Sequence, residues 1–109
     1  MTQPMDPHAT TITVGTGADA RAIAVLHRPP SEEDHPAVVW LGGYRSDMTG
    51  TKAVALDMLA AELGAACIRF DYSGHGASGG LFIDGTISRW LEEAVAVLEA
   101  LNPKRVVLV

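Results

Sequence analysis

Residues 37–47 read AVVWLGGYRSD. The first five are uninterrupted apolar, with two valines and a tryptophan, the composition of a strand covered on both faces of a sheet. Gly42 and Gly43 end it, because glycine reaches backbone angles that other residues avoid. A second apolar run, AACIRFD at 65–71, stops as abruptly at Tyr72, Ser73, Gly74, His75 and Gly76. A helical pattern lies between the two runs. Strand, helix, strand with a loop at each strand's carboxyl end is the unit of a parallel sheet, and ligand sites form at those ends.

On the amino-terminal side, TTITV at 10–14 and RAIAVLH at 21–27 flank a turn cluster at 15–19, which predicts a β-hairpin. Arg28, Pro29 and Pro30 close its second strand, since proline cannot donate to a ladder. Residues 31–36, SEEDHP, form a charged surface loop, and residues 1–9 a loose tail. Between the two apolar runs, Ala53, Leu56, Leu59, Ala60 and Leu63 recur at helical spacing over 51–63, and Gly64 stands where a glycine cap belongs. Residues 72–85 are a long glycine-rich loop. The clearest helix covers 86–101, with Ile87, Trp90, Leu91, Ala94, Leu98 and Leu101 on one stripe and Arg89, Glu92, Glu93 and Glu99 opposite. Asn102 and Pro103 stop it. RVVLV at 105–109 is another buried strand. The expected fold is α/β, a β-hairpin followed by parallel β-α-β-α-β, in one domain over 1–109. The last strand of a parallel sheet needs cover on both faces, and an open apolar edge invites aggregation. The pattern is therefore expected to be the amino-terminal part of a longer, truncated domain.

The 48% hydrophobic content over 109 residues describes one small core-forming domain, which excludes a disordered chain. A net charge of −5 without a cluster of Lys and Arg argues against nucleic acid or an anionic membrane as partner. Cys67 is the only cysteine, so no internal disulfide can form, and a buried apolar role is expected of it. The beginning, MTQPMDPHAT, has no apolar signal region, and no run approaches the ~18 apolar residues of a membrane helix. A soluble cytoplasmic protein is expected.

Residues 74–79, GHGASG, spell the G-x-G-x-x-G of dinucleotide-binding loops. That chemistry needs a helix opening directly on the glycines, and here the helical pattern begins several residues later, so a nucleotide cofactor is disfavoured. Residues 15–20 fail sooner, because a hairpin follows. Ser46, Asp47, Ser73 and His75 are triad residue types, but a nucleophile needs an oriented base within reach; these read as turn and capping residues. His75 follows a strand's carboxyl end and could line a pocket, although a solvated loop histidine is the simpler reading. Asp71 is expected to accept N–H groups of its own loop. Arg69, unusual in an apolar strand, needs a buried partner that the sequence does not name. His8, His27 and His35 are too scattered for a metal site.

Taken together, the order of elements resembles the first half of an α/β-hydrolase. LGGY at 41–44 resembles the family's oxyanion loop after the third strand, DYSGHGAS at 71–78 its D-x-x-G-x-G-x-S turn after the fourth, and VVLV at 106–109 the fifth strand. GYRSDMTGTKA followed by CIRFDYSGHGASGG is similar to the branch with the acyl-glucuronide esterase and depalmitoylating thioesterase and its bacterial relatives. The resemblance implies a serine enzyme that hydrolyses small-molecule carboxylic esters or thioesters through an acyl-enzyme, without a cofactor or metal. It carries over the Tyr44 backbone N–H as one oxyanion donor, with Gly43 letting the chain approach the site. The family's G-x-S-x-G serine, acid and histidine all follow the fifth strand, so they are expected beyond Val109 and the 109 residues alone are expected to be inactive. Gly42 stands where the family often has histidine. Two other readings remain open: a non-catalytic interaction module built on half the fold, and a Rossmann-like nucleotide-binding half.

Overall fold

The computed structural model describes residues 6–32 and 35–109. Its elements are β1 (His8–Val14), β2 (Arg21–Arg28), β3 (Ala37–Trp40), α1 (Thr51–Leu63), β4 (Cys67–Phe70), α2 (Ile87–Leu101) and β5 (Val106–Leu108), with short 3-10 turns at Gly17–Asp19 and Phe82–Asp84. The five strands form one sheet in the order β1-β2-β4-β3-β5. The hairpin β1–β2 is antiparallel and joins the rest by antiparallel pairing of β2 with β4. β4, β3 and β5 run parallel. Strand pairing starts at His8 opposite His27, so the expected loose tail is already sheet at residues 8 and 9. Residues 1–5 of that tail, and 33 and 34 of the charged loop, lie outside the described residues.

Alternation along the strands divides the core between two faces. Ile68 and Phe70 of β4 join Val39 of β3, Ile23 and Val25 of β2 and Val14 of β1 under Ala94 and Val97 of α2. Cys67, one residue out of phase, packs with Ala60 of α1 and with Ala65, against half-buried Val38. β3 is fully covered on the α2 face at Val39, and only half covered on the other at Val38 and Trp40. β5 lies at the sheet edge with Val106, Val107 and Leu108 all exposed, where the sequence pattern had suggested a buried strand.

Both helices form as the sequence predicts, but each is rotated from its apolar stripe. α1 ends at Gly64, in the left-handed region at φ 75°, whose N–H returns to Ala60 and Ala61. Its buried residues are Ala53, Asp57 and Ala60, while Leu59 and Leu63 are half exposed. Thr86 caps α2 by accepting the Arg89 N–H. The inward line of α2 carries Glu93, Ala94 and Val97, whereas Ile87 and Leu91, expected inside, are 77% and 62% exposed. Glu93, expected on the polar face, is fully buried. Asp57 and Glu93 turn inward because arginines meet each of them: half-buried Arg28 and buried Arg69 on the α1 face, buried Arg21 on the α2 face. A buried charge is tolerated when it is paired and hydrogen-bonded. Among the described residues no helix is long and apolar enough to cross a membrane.

Candidate active site at the carboxyl ends of the strands

Two loops leave the carboxyl ends of β3 and β4 side by side, and three bonds stitch them together. The Met48 N–H donates to Asp71 Oδ1 at 2.7 Å, and the Met48 carbonyl accepts from Arg69 at 2.8 Å. Arg69 also lies 3.6 Å from Asp57 Oδ2, so the partners of this buried strand arginine are one loop carbonyl and one helix carboxylate. Asp71 Oδ2 accepts the Ala77 N–H of its own loop, as expected, while Oδ1 serves the neighbouring loop. The third bond runs from the Arg45 N–H to His75 Nε2 at 3.1 Å. His75 is therefore not a solvated loop residue; it is 6% exposed.

The β4 loop is no freer on its other side. Ser78 Oγ accepts the Ala24 N–H and donates to the Asp71 carbonyl, and the Gly79 N–H donates to the Ala22 carbonyl. The loop thus continues along β2 where β4 itself has ended. Gly76 has φ +47°, and a Cβ there would stand 2.2 Å from Asp71 Oδ2, so the turn that wraps the carboxylate admits only glycine. Beneath it, Glu93 accepts both the Ser73 N–H and the Ser73 hydroxyl, at 2.7 and 2.6 Å, and pairs with Arg21 at 2.8 Å. Arg21 also bonds Asp19 and Glu92. Burial draws the Arg21 guanidinium down, but its bonds to Glu93 and Glu92 outweigh that and hold it above its ordinary value.

Beside these loops, Leu41, Gly43, Tyr44, Tyr72, His75 and Trp90 line an apolar pocket of about 310 Å³. Burial, and then the Glu93 carboxylate, pushes the Tyr72 phenol up, so it is neutral in this wall. The Tyr44 side chain is 69% exposed and meets Phe82 edge-on at 5.1 Å. Its backbone N–H takes part in no hydrogen bond among the described residues. Gly43 is exposed, and a Cβ there would touch only Ser46 Oγ, at 3.4 Å, so nothing in the described fold requires it to be bare. Gly42 differs: a Cβ would lie 2.7 Å from the Trp40 indole, so a histidine at this position would have to displace that ring. The structure brings Gly43, Tyr44 and His75 to one pocket.

Among the described residues, none of Ser46, Ser73 and Ser78 is hydrogen-bonded to a histidine. Ser73 is committed to Glu93 and Ser78 to β2 and Asp71. Ser46 belongs to a turn closed by its N–H on the Gly43 carbonyl. Asp47 accepts the Thr49 hydroxyl and N–H, which draw its carboxyl below the usual range. No group of three or more potential metal ligands occurs among the described residues. The G-x-G-x-x-G string leads through a 3-10 turn, and the helix opens only at Ile87. Glu93 and Arg45 escaped the sequence reading. Glu93 sits beside Glu92 and Arg89 in a stretch that looks polar, and only the buried Arg21 opposite it gives it away.

No protein-family model matches the chain. Over 66 residues it is 41% identical to the human mitochondrial palmitoyl-protein thioesterase ABHD10, an alignment taking 61% of this chain and 22% of that protein. Among solved structures, a protein of Agrobacterium vitis S4 with a provisional hydrolase name superimposes with a TM-score of 0.91 at 63% identity, over 94% of this chain and 39% of its own. Mouse α/β-hydrolase domain-containing protein 10 follows with a TM-score of 0.79 at 28% identity, over 93% of this chain and 38% of its own. The chain therefore spans about a fifth of the curated relatives' length and about two fifths of these structures. Its fold is that of the α/β-hydrolases, present in part, and its resemblance is to hydrolases that include a thioesterase.

Proposed function

We propose that these residues are the oxyanion side of a serine hydrolase that cleaves small-molecule carboxylic esters or thioesters through an acyl-enzyme. The observation that carries this reading is the Tyr44 N–H, which has no acceptor among the described residues and belongs to a residue lining an apolar pocket at the carboxyl end of β3. An unpaired donor beside a pocket is what a tetrahedral oxyanion requires. Gly43, bare without structural need, leaves room for the substrate to approach. The apolar walls suit an acyl chain. The nucleophile, its histidine and acid, and the second oxyanion donor belong to the part of the fold that follows β5.

The test is a pair of variants in a chain extended to the length of its relatives. Tyr44→Pro removes the donor, and Tyr44→Phe keeps it. Loss of one oxyanion donor slows kcat by about 10²–10³, whereas Tyr44→Phe should stay within about tenfold of wild type, a bound of roughly 1.4 kcal/mol. KM should change less than kcat, because the bond is made chiefly in the transition state. Proline also restricts Gly43, so a melting curve accompanies each assay. A folded Tyr44→Pro variant with wild-type kcat would sink the reading, and failure of Tyr44→Phe instead would point to the phenol.

A further inference from the structure

We propose that His75 is a positioning residue for the oxyanion loop: its Nε2 holds the Arg45 N–H and thereby sets the peptide that follows the Tyr44 donor. This rests on the oxyanion reading of Tyr44; the hold on the loop itself can be measured without it. Two contacts assign the ring's proton. The Ser73 carbonyl, 3.1 Å from Nδ1, can only accept, so Nδ1 carries hydrogen. The Arg45 N–H, 3.1 Å from Nε2, can only donate, so Nε2 is bare. Both nitrogens are thus committed, which makes His75 a fixed acceptor and leaves it no free nitrogen to act as a base.

The ring has reason to be held and the loop has reason to need it. Arg45 has φ +61°, a left-handed conformation sparsely populated by residues other than glycine, which persists when the surroundings determine it. Its N–H goes to His75, and its guanidinium lies over the Phe82 ring at 4.9 Å. His75 in turn meets Phe82 and Trp90 edge-on at 5.3 and 5.4 Å. Its other nitrogen is anchored through Ser73, whose N–H and hydroxyl both end on buried Glu93. A line of hydrogen bonds therefore runs from the interior of α2 to the peptide next to Tyr44. Misplacing a reacting group by about 1 Å can cost 10²-fold, so a loop that swings on an unheld Arg45 would misdirect the Tyr44 donor.

The experiment uses the length-extended hydrolase with ¹⁵N-labelled histidine. The wild-type spectrum should show His75 with a protonated Nδ1 and a bare, hydrogen-bonded Nε2. His75→Phe keeps an aromatic ring and loses the acceptor. Arg45 amide exchange should then accelerate, and kcat should fall by about 10–100-fold with KM within about threefold. His75→Gln restores an acceptor at similar reach and should bring both readouts back to within about threefold of wild type. The proposal is overturned if wild-type Nε2 carries the proton, or if Arg45 exchanges equally in wild type and a folded His75→Phe variant. It is also overturned if a folded His75→Gln variant is as impaired as His75→Phe. Faster Arg45 exchange with unchanged kcat, alongside a fully active Tyr44→Pro, supports the hold on the loop and refutes the oxyanion reading.

Discussion

Cys67 shows how far one side chain's chemistry is set by what surrounds it. It is fully buried, as its place in an apolar strand suggested. Burial first, and then the Asp57 carboxylate, pushes its thiol from the ordinary 9.0 up to about 12. Asp57 itself is pulled upward by burial, but its bonds to Arg28 and the charge of Arg69 outweigh that and keep it below the usual carboxylate range. The sign for Cys67 follows. Between pH 9.0 and about 12 the folded chain keeps a proton that the unfolded chain has released, so this contribution is complete below the window and is lost as pH rises through it. Denaturant melts at stepped alkaline pH should show wild type losing stability faster than Cys67→Ala, which removes the thiol and lowers stability uniformly. Thiol reagents should label Cys67 only after unfolding. Parallel slopes, or rapid labelling of the folded chain, would contradict the assignment.

At the scale of an element, α2 is less a greasy helix on a sheet than a carrier of one inward carboxylate. Glu93 joins β2 through Arg21 and the β4 loop through Ser73. Removing one member of a buried ion pair costs roughly 3–5 kcal/mol, because the other charge stays uncompensated. Glu93→Leu should lose about that much in a denaturant melt. Adding Arg21→Met should recover only part of the loss, since the cation that has lost its buried carboxylate goes, but Asp19 and Glu92 lose their partner and the Ser73 donors remain unpaired. An additive double variant would show that the two residues do not act as a pair. This is also where the sequence misleads. Periodicity located both helices, and glycine geometry the cap at Gly64, because both are local properties, while the expected strands were off by up to two residues at their ends. It put Glu93 outside and Leu91 inside, because the phase of a helix depends on partners distant in the chain: Arg21 is seventy-two positions from Glu93. His75 was misplaced for the same reason, its burial being decided by Arg45, Phe82 and Trp90. The oxyanion role proposed for Tyr44 rests on likeness to a family, since nothing in local spacing or glycine geometry points to it.

Over the whole molecule, apolar side chains remain exposed on both helices and along the β5 edge. Ile87 and Leu91 on α2, Met58 and Leu59 on α1, and Val106, Val107 and Leu108 on β5 are all exposed. Patches of this kind promote association, and an unpaired strand is a template for another. The 109-residue chain should therefore elute earlier from size exclusion as its concentration rises, and the paired change Ile87→Lys with Leu91→Glu should shift it toward monomer. A sharp monomer at every concentration would count against this reading. One feature of the sheet also bears on how the gene for such a chain can vary. Because Ser78 and Gly79 continue along β2 after β4 has stopped, the loop from Asp71 to Gly79 keeps count like a strand. One inserted codon would slide Ser78 away from Ala24, and one deleted codon would pull the turn off the Asp71 carboxylate. In this loop, then, insertions and deletions meet nine positions whose number is fixed by hydrogen-bond register.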